Sequence, residues 1–159
     1  MRRPTLFAAR SGFPRKRKQT YTTLDIVWRC RQDNRATNMT IEKKVLFEFI
    51  RTRGSGVVST TSASGAPEAA LVNIAVTENL ELIFYALQTT RKCINLRRDP
   101  RIAVVVGRDD ENTLQYEGGV DEPRDEELTR LKKIYRASRQ NVEFQMEWPG
   151  LTYFRVRPS

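Results

Sequence analysis

From residue 41 the apolar positions of the chain fall into order. Ile41, Val45, Leu46, Phe49 and Ile50 share one face at helical spacing. Thr40 stands where an N-cap belongs and Gly54 where a left-handed C-cap belongs. Past Gly54 the spacing shortens to that of strands. Residues 57–63, 68–76 and 80–86 predict three strands. The turn Ser64-Gly65-Ala66-Pro67 joins the first two, because glycine supplies a positive φ and proline fixes its own. Thr77-Glu78-Asn79 turns the chain again. Thr89 and Thr90 open a short basic helix over residues 91–98, and Asp99-Pro100 stops it, since a residue before proline is pushed out of the helical region. Residues 101–107 and 113–121 predict two more strands. Gly118-Gly119 inside the second marks a bulge or a close backbone approach.

Pro123 fits the first turn of a third helix. Asp125, Glu126 and Glu127 crowd its start and Arg130, Lys132 and Lys133 lie further along, an order that complements the helix dipole. Leu128, Leu131, Ile134 and Tyr135 supply its apolar face, and residues 150–156 form a last strand. Six strands joined by short turns imply a mainly β fold, an antiparallel sheet that closes into a barrel with a few helices.

Residues 1–38 do not share this order. They contain Arg15-Lys16-Arg17-Lys18 and no sustained apolar period. Three readings stay open for them: a basic arm for nucleic acid, an organellar transit peptide, or sequence upstream of a true start at Met39. Each leads to the same expectation, a disordered leader separable from a domain over residues 39–159.

Charge sharpens that division. The chain carries +9, and residues 1–38 hold ten basic and two acidic side chains, or +8. The remaining 9 − 8 = +1 belongs to residues 39–159, so the folded part is not expected to bind nucleic acid. The apolar runs are strand-sized, far short of the roughly 18 residues of a membrane span. Cys30 and Cys93 form no CxxC pair, which suits a reducing cytoplasm and offers no zinc site. The chain contains no histidine. Histidine-based nucleophile activation and histidine-ligated metal or haem are therefore excluded.

One segment concentrates chemistry. At Phe84-Tyr85-Ala86-Leu87-Gln88-Thr89-Thr90-Arg91-Lys92 a strand ends and a helix opens on two adjacent cations. A helix start offers free backbone N–H groups and a partial positive charge. Thr90 adds a hydroxyl, Arg91 a planar fork and Lys92 a point charge, together a cradle for a phosphate. The plainer reading is a solvated basic helix start. Against it, cations beside a helix N-terminus are unfavourable without a bound anion. Other candidates are weaker. Asp109-Asp110-Glu111 is an acidic turn, Trp148 is more simply packing, and Cys93 is more simply a buried spectator.

Thr90-Arg91-Lys92, followed by Asn95-Leu96-Arg97-Arg98-Asp99-Pro100-Arg101 and an apolar strand, resembles the pyridoxamine 5′-phosphate oxidase-like family of FMN-binding split β-barrels. The resemblance runs from Ile41 to Val156 and includes the Gly65-Ala66-Pro67 turn, Tyr116-Glu117-Gly118, and the last strand from Trp148. It implies FMN as cofactor, with its phosphate on Arg91 and Lys92 and Thr90 at the matching hydroxyl position. It places the flavin ring along the strand of Ala70, Leu71, Val72 and Asn73 and onward to Ala75, with a further contact at Tyr85 and Ala86. A glutamine of the family aligns with Thr113, while Gln115 lies two residues on and faces the same side. The resemblance also implies a homodimer, because the family builds each flavin site between two subunits.

The departures are specific. Ala70 and Ala75 stand where the oxidase has arginine and lysine, and the substrate-holding histidine is missing. The expectation is a flavin-dependent oxidoreductase acting on a small substrate, not a true pyridoxamine 5′-phosphate oxidase. Two alternatives stand beside it: a module that binds or stores flavin or deazaflavin without turnover, and a nucleic-acid-binding protein acting through the leader.

Overall fold

The structure is a computed structural model that describes residues 27–29, 42–107, 112–138 and 148–159. The first helix, α1, spans Lys43–Arg53. Its N-cap is Glu42, in extended conformation and with no side-chain cap bond, so the helix starts later than the Thr40 signal implied; Thr40 and Ile41 lie outside the described residues. Gly54 ends it as expected, at φ 60° with its N–H donating to the Ile50 carbonyl. The strands are β1 (Val27–Arg29), β2 (Ser55–Thr61), β3 (Pro67–Asn73), β4 (Ala75–Val76), β5 (Leu82–Leu87), β6 (Arg101–Val106), β7 (Thr113–Asp121) and β8 (Leu151–Pro158). The other helices are α2 (Arg91–Arg98) and α3 (Asp125–Ala137).

All six expected strands are present, in one antiparallel sheet of order β3-β2-β6-β7-β8-β5-β4. The expected second strand is two. Asn73 still pairs with Ser55 of β2, whereas Ala75 pairs with Ile83 of β5. Between them Ile74 is buried and donates its N–H to the Gly54 carbonyl at 3.0 Å. The two ends of the sheet are therefore one covalent run that changes partners at Ile74, and this closes the curled sheet into a split barrel. Leu80, expected in the third strand, instead sits in the preceding turn at φ 62°. The buried Tyr116 hydroxyl donates to its carbonyl at 2.8 Å, anchoring a conformation that leucine rarely adopts.

Part of the leader lies in the sheet. Its residues Val27, Trp28 and Arg29 pair antiparallel with Gln115, Leu114 and Thr113 of β7. They occupy β7 where β8, which reaches only to Gly118, leaves an open edge. The rest of residues 1–38 lies outside the described residues.

Period-2 alternation sorts the sheet's side chains into two sets. Val58, Val72, Phe84, Ile102, Val104, Leu114, Tyr116, Phe154 and Val156 fill the barrel, plugged by Leu46 and Ile50 of α1 and by Cys93 and Leu96 of α2. Outside the barrel, Ile83 and Tyr153 pack with Leu131 and Tyr135 beneath α3. An ion network holds α3 there. Arg155, only 8% exposed, grips Asp121 through Nε and Nη2 at 3.1 and 2.7 Å and also bonds Glu127 of α3. Among the described residues no helix is long and apolar enough to cross a membrane.

Candidate functional site

The start of α2 is built as the sequence implied, with one addition. Thr90 is the N-cap residue, with extended backbone, but its side chain makes no cap bond to the helix. Its hydroxyl instead donates to the Leu87 carbonyl at 2.8 Å, with the Cys93 sulfur at 3.2 Å. The first turn carries no acidic residue, and Arg91 and Lys92 sit in it. The positive end of the helix is thus neither capped nor neutralised from within, a setting that fits an anion. Arg91 is 84% exposed and Lys92 partly so, hence both can reach a ligand from solvent.

The addition is Glu68. This residue opens the inward-facing set of β3, and its Oε1 accepts from Arg91 Nη1 at 3.2 Å. Its Oε2 accepts from Asn95 Nδ2 at 3.0 Å, and the same amide donates to Thr60 Oγ1 at 3.1 Å. Thr60 and Glu68 are paired across the β2–β3 hairpin, so one buried amide spans both strands. Neither Glu68 nor Asn95 could be singled out from spacing, because Arg91 and Glu68 are 23 residues apart and only the docking of α2 on β2 brings them together.

The remaining sequence candidates separate by face. Ala70 and Val72 point toward the barrel interior, while Leu71 and Asn73 are exposed on the outer face. Thr113 and Gln115 lie on that same outer face of β7, but three strand positions from β3, a span of about 14 Å at the usual spacing. Ala86 is buried in the barrel. The Tyr85 ring is turned away from the α2 start and packs against Tyr135 and Tyr153, with centroids at 5.3 and 5.4 Å. In one chain, therefore, the start of α2 and the foot of β3 come together through Glu68, whereas Gln115 and the Tyr85 ring stand apart.

Cys93 is fully buried, and its sulfur donates to the Leu87 carbonyl at 3.2 Å. Burial raises its thiol pKa and outweighs the lowering by the Thr90 hydrogen bond and nearby Lys92, so the neighbouring cations do not activate it. Trp148 is 48% exposed at the surface. Asp109, Asp110 and Glu111 lie outside the described residues. Among the described residues no group of three or more acidic or cysteine side chains is placed to hold a metal ion.

A continuous apolar row crosses the outer face. Leu71 pairs with Val57, Val57 with Val105, and Val105 with Gln115. Leu71 is 66% exposed and the two valines 37% each. Adjacent apolar side chains across three strands form a patch, which isolated exposed residues do not.

No curated protein sequence matches the chain. Among solved structures, it is similar to a heme binding protein from Mycobacterium smegmatis, with TM-score 0.64 and 14% identity over 76% of this chain and 53% of that one. It therefore spans about half the length of the mycobacterial protein. It is also similar to General Stress Protein 26 from Bacillus anthracis, with TM-score 0.60 and 20% identity over 73% and 88%. A third similar structure is an FAD-binding protein from Mesorhizobium loti, with TM-score 0.57 and 16% identity over 75% and 91%. At these identities the likeness is one of fold. Residues 43–159 match the family model described as pyridoxamine 5′-phosphate oxidase, and the chain belongs to that family of split β-barrel proteins.

Proposed function

We propose that this protein binds FMN and acts as a flavin-dependent oxidoreductase on a small organic substrate. The observation that carries the reading is the start of α2, a helix N-terminus with no side-chain cap, no acid in its first turn and two cations. A flavin phosphate placed there would accept from the helix N–H groups, from the Arg91 fork and from Lys92. The Thr90 hydroxyl would have to turn from the Leu87 carbonyl to join them. The outward side chains Leu71 and Asn73 of β3 would flank the ring. Bound flavin supplies the hydride and electron chemistry, and the chain's own part is to bind, orient and exclude water. Ala70 and Ala75 stand where the resemblance to the oxidase calls for arginine and lysine, which supports a substrate other than pyridoxamine 5′-phosphate. Although a similar structure is a heme binding protein, this chain has no histidine to ligate iron.

Protein purified from bacteria should be yellow, and the released cofactor should have the mass of FMN. Anaerobic addition of a reduced nicotinamide cofactor should bleach the flavin absorbance. A colourless protein that takes up no FMN on titration would end this reading, whereas bound flavin that never bleaches would leave a binding module.

The second part of the proposal is a homodimer formed through the outer face. The row Leu71, Val57 and Val105 is the apolar patch that a second copy would cover, and Gln115 at its end is then available to a site shared between copies. Leu71→Asp should yield monomers by sedimentation velocity, with the fold retained, because Leu71 is 66% exposed in the single chain. A Leu71→Asp protein that remains a full dimer at micromolar concentration would move the interface elsewhere.

A further inference from the structure

We propose that Glu68 and Asn95 are positioning residues that hold Arg91 ready for the ligand phosphate; this rests on the α2 start being the phosphate site. Arg91 and Asn95 are four residues apart and so share the face of α2 that docks on the β2–β3 hairpin. Asn95 is 6% exposed and Thr60 5%. The Asn95 amide spends one N–H on Thr60 Oγ1 and the other on Glu68 Oε2. That fixes the carboxylate and leaves Oε1 facing outward, where it takes Nη1 of Arg91. The guanidinium is held at one corner, and its other donors stay available for a phosphate. A long side chain that is 84% exposed would otherwise lose its full rotamer freedom on binding.

Only a carboxylate meets this arrangement. It presents two acceptor oxygens to two donors, whereas an amide presents one acceptor and one donor. In Glu68→Gln the single oxygen can serve Asn95 or Arg91 but not both. The buried Asn95 has no water to turn to, so the exposed Arg91 is the one released. The carboxylate also bears a negative charge near the ligand, which opposes binding; that charge is already shared between two donors and faces the ligand across the guanidinium.

The test is a double-mutant cycle on the full chain, with FMN and riboflavin affinities measured by flavin fluorescence. The ratio of the two isolates the phosphate, since riboflavin lacks it, and a general loss of structure would lower both. Arg91→Ala should reduce the preference for FMN. Glu68→Gln and Glu68→Ala should each reduce it by about three- to tenfold, the worth of one ordered side chain. Neither should reduce it further in the Arg91→Ala background, where only the repulsion by the carboxylate is left to relieve. A preference that is unchanged or increased in both Glu68 variants would overturn the positioning role, and so would an undiminished effect without Arg91. If Arg91→Ala itself leaves the preference intact, the phosphate site is elsewhere and this inference falls with it; a loss in Arg91→Ala alone overturns only the role of Glu68.

Discussion

Gly118→Ala is expected to destabilise the domain by about 3 kcal/mol, the upper part of the range for forcing a methyl group into packed structure. A Cβ at Gly118 would stand 2.1 Å from the Arg157 carbonyl oxygen and 2.9 Å from its carbon. These are backbone atoms of β8, and no rotamer change can move them aside. The strand itself would have to shift, and with it the pairs Gly118 to Pro158 and Gly119 to Arg157. The damage would spread, because β8 also carries Phe154 in the barrel and Arg155, whose bonds to Asp121 and Glu127 hold α3. For a domain of this size the loss corresponds to a fall in Tm of roughly 10 °C. Gly119→Ala is the control. Its Cβ would meet nothing within 4 Å, and the substitution should change stability by less than about 0.5 kcal/mol. Equal melting of the two variants would mean that β7 and β8 do not approach as described.

The Gly118-Gly119 pair shows what the sequence can and cannot disclose. Two glycines in the middle of an alternating strand announce a bulge or a close backbone approach. They do not say which one makes it, since that depends on where β8 lies. The same division runs through the fold. Strands, turns and the ends of α2 follow from local spacing and turn chemistry, and each is present with its bounds shifted by at most about two residues, the split at Ile74 apart. The break at Ile74 left no mark, because 67–76 reads as one extended run, and only the change of partner from β2 to β5 divides it. Trp28 gave no strand signal either, since three residues are too few to show a period.

The site was legible to a similar depth. The cations at the start of α2 follow from the order of residues along a helix. Their partner Glu68 does not, because it belongs to a strand of another hairpin. The resemblance implied a flavin contact at Tyr85, whereas alternation puts its ring on the opposite side from Phe84 and Ala86, under α3. Thr113 and Gln115 share the outer face with Leu71 as alternation required, but strand order separates them, and no single-sequence signal fixes strand order.

Replacing Arg91 and Lys92 together with alanine is expected to abolish retention of FMN while leaving the chain folded. Each charge-assisted hydrogen bond to a phosphate is worth roughly 1.5–3 kcal/mol. Arg91 is 84% exposed, so solvent screening argues for the lower end, about 3 kcal/mol for the pair. A further loss comes from Glu68. With both cations present the local charge is 1 + 1 − 1 = +1; without them the carboxylate remains, held by Asn95, and the charge becomes −1. A phosphate would then meet a helix start facing it with a repulsive neighbour. The expected weakening is about two to three powers of ten in Kd, enough to lose the flavin during purification. Stability without ligand should be little changed, because neither side chain is buried and alanine favours a helix interior. What should shrink is the rise in Tm that added FMN produces, since that rise follows the ratio of ligand concentration to Kd. Riboflavin affinity should stay close to that of the unmodified protein. A double variant that stays yellow, or that loses FMN and riboflavin in equal measure, would show that these two cations do not hold the phosphate.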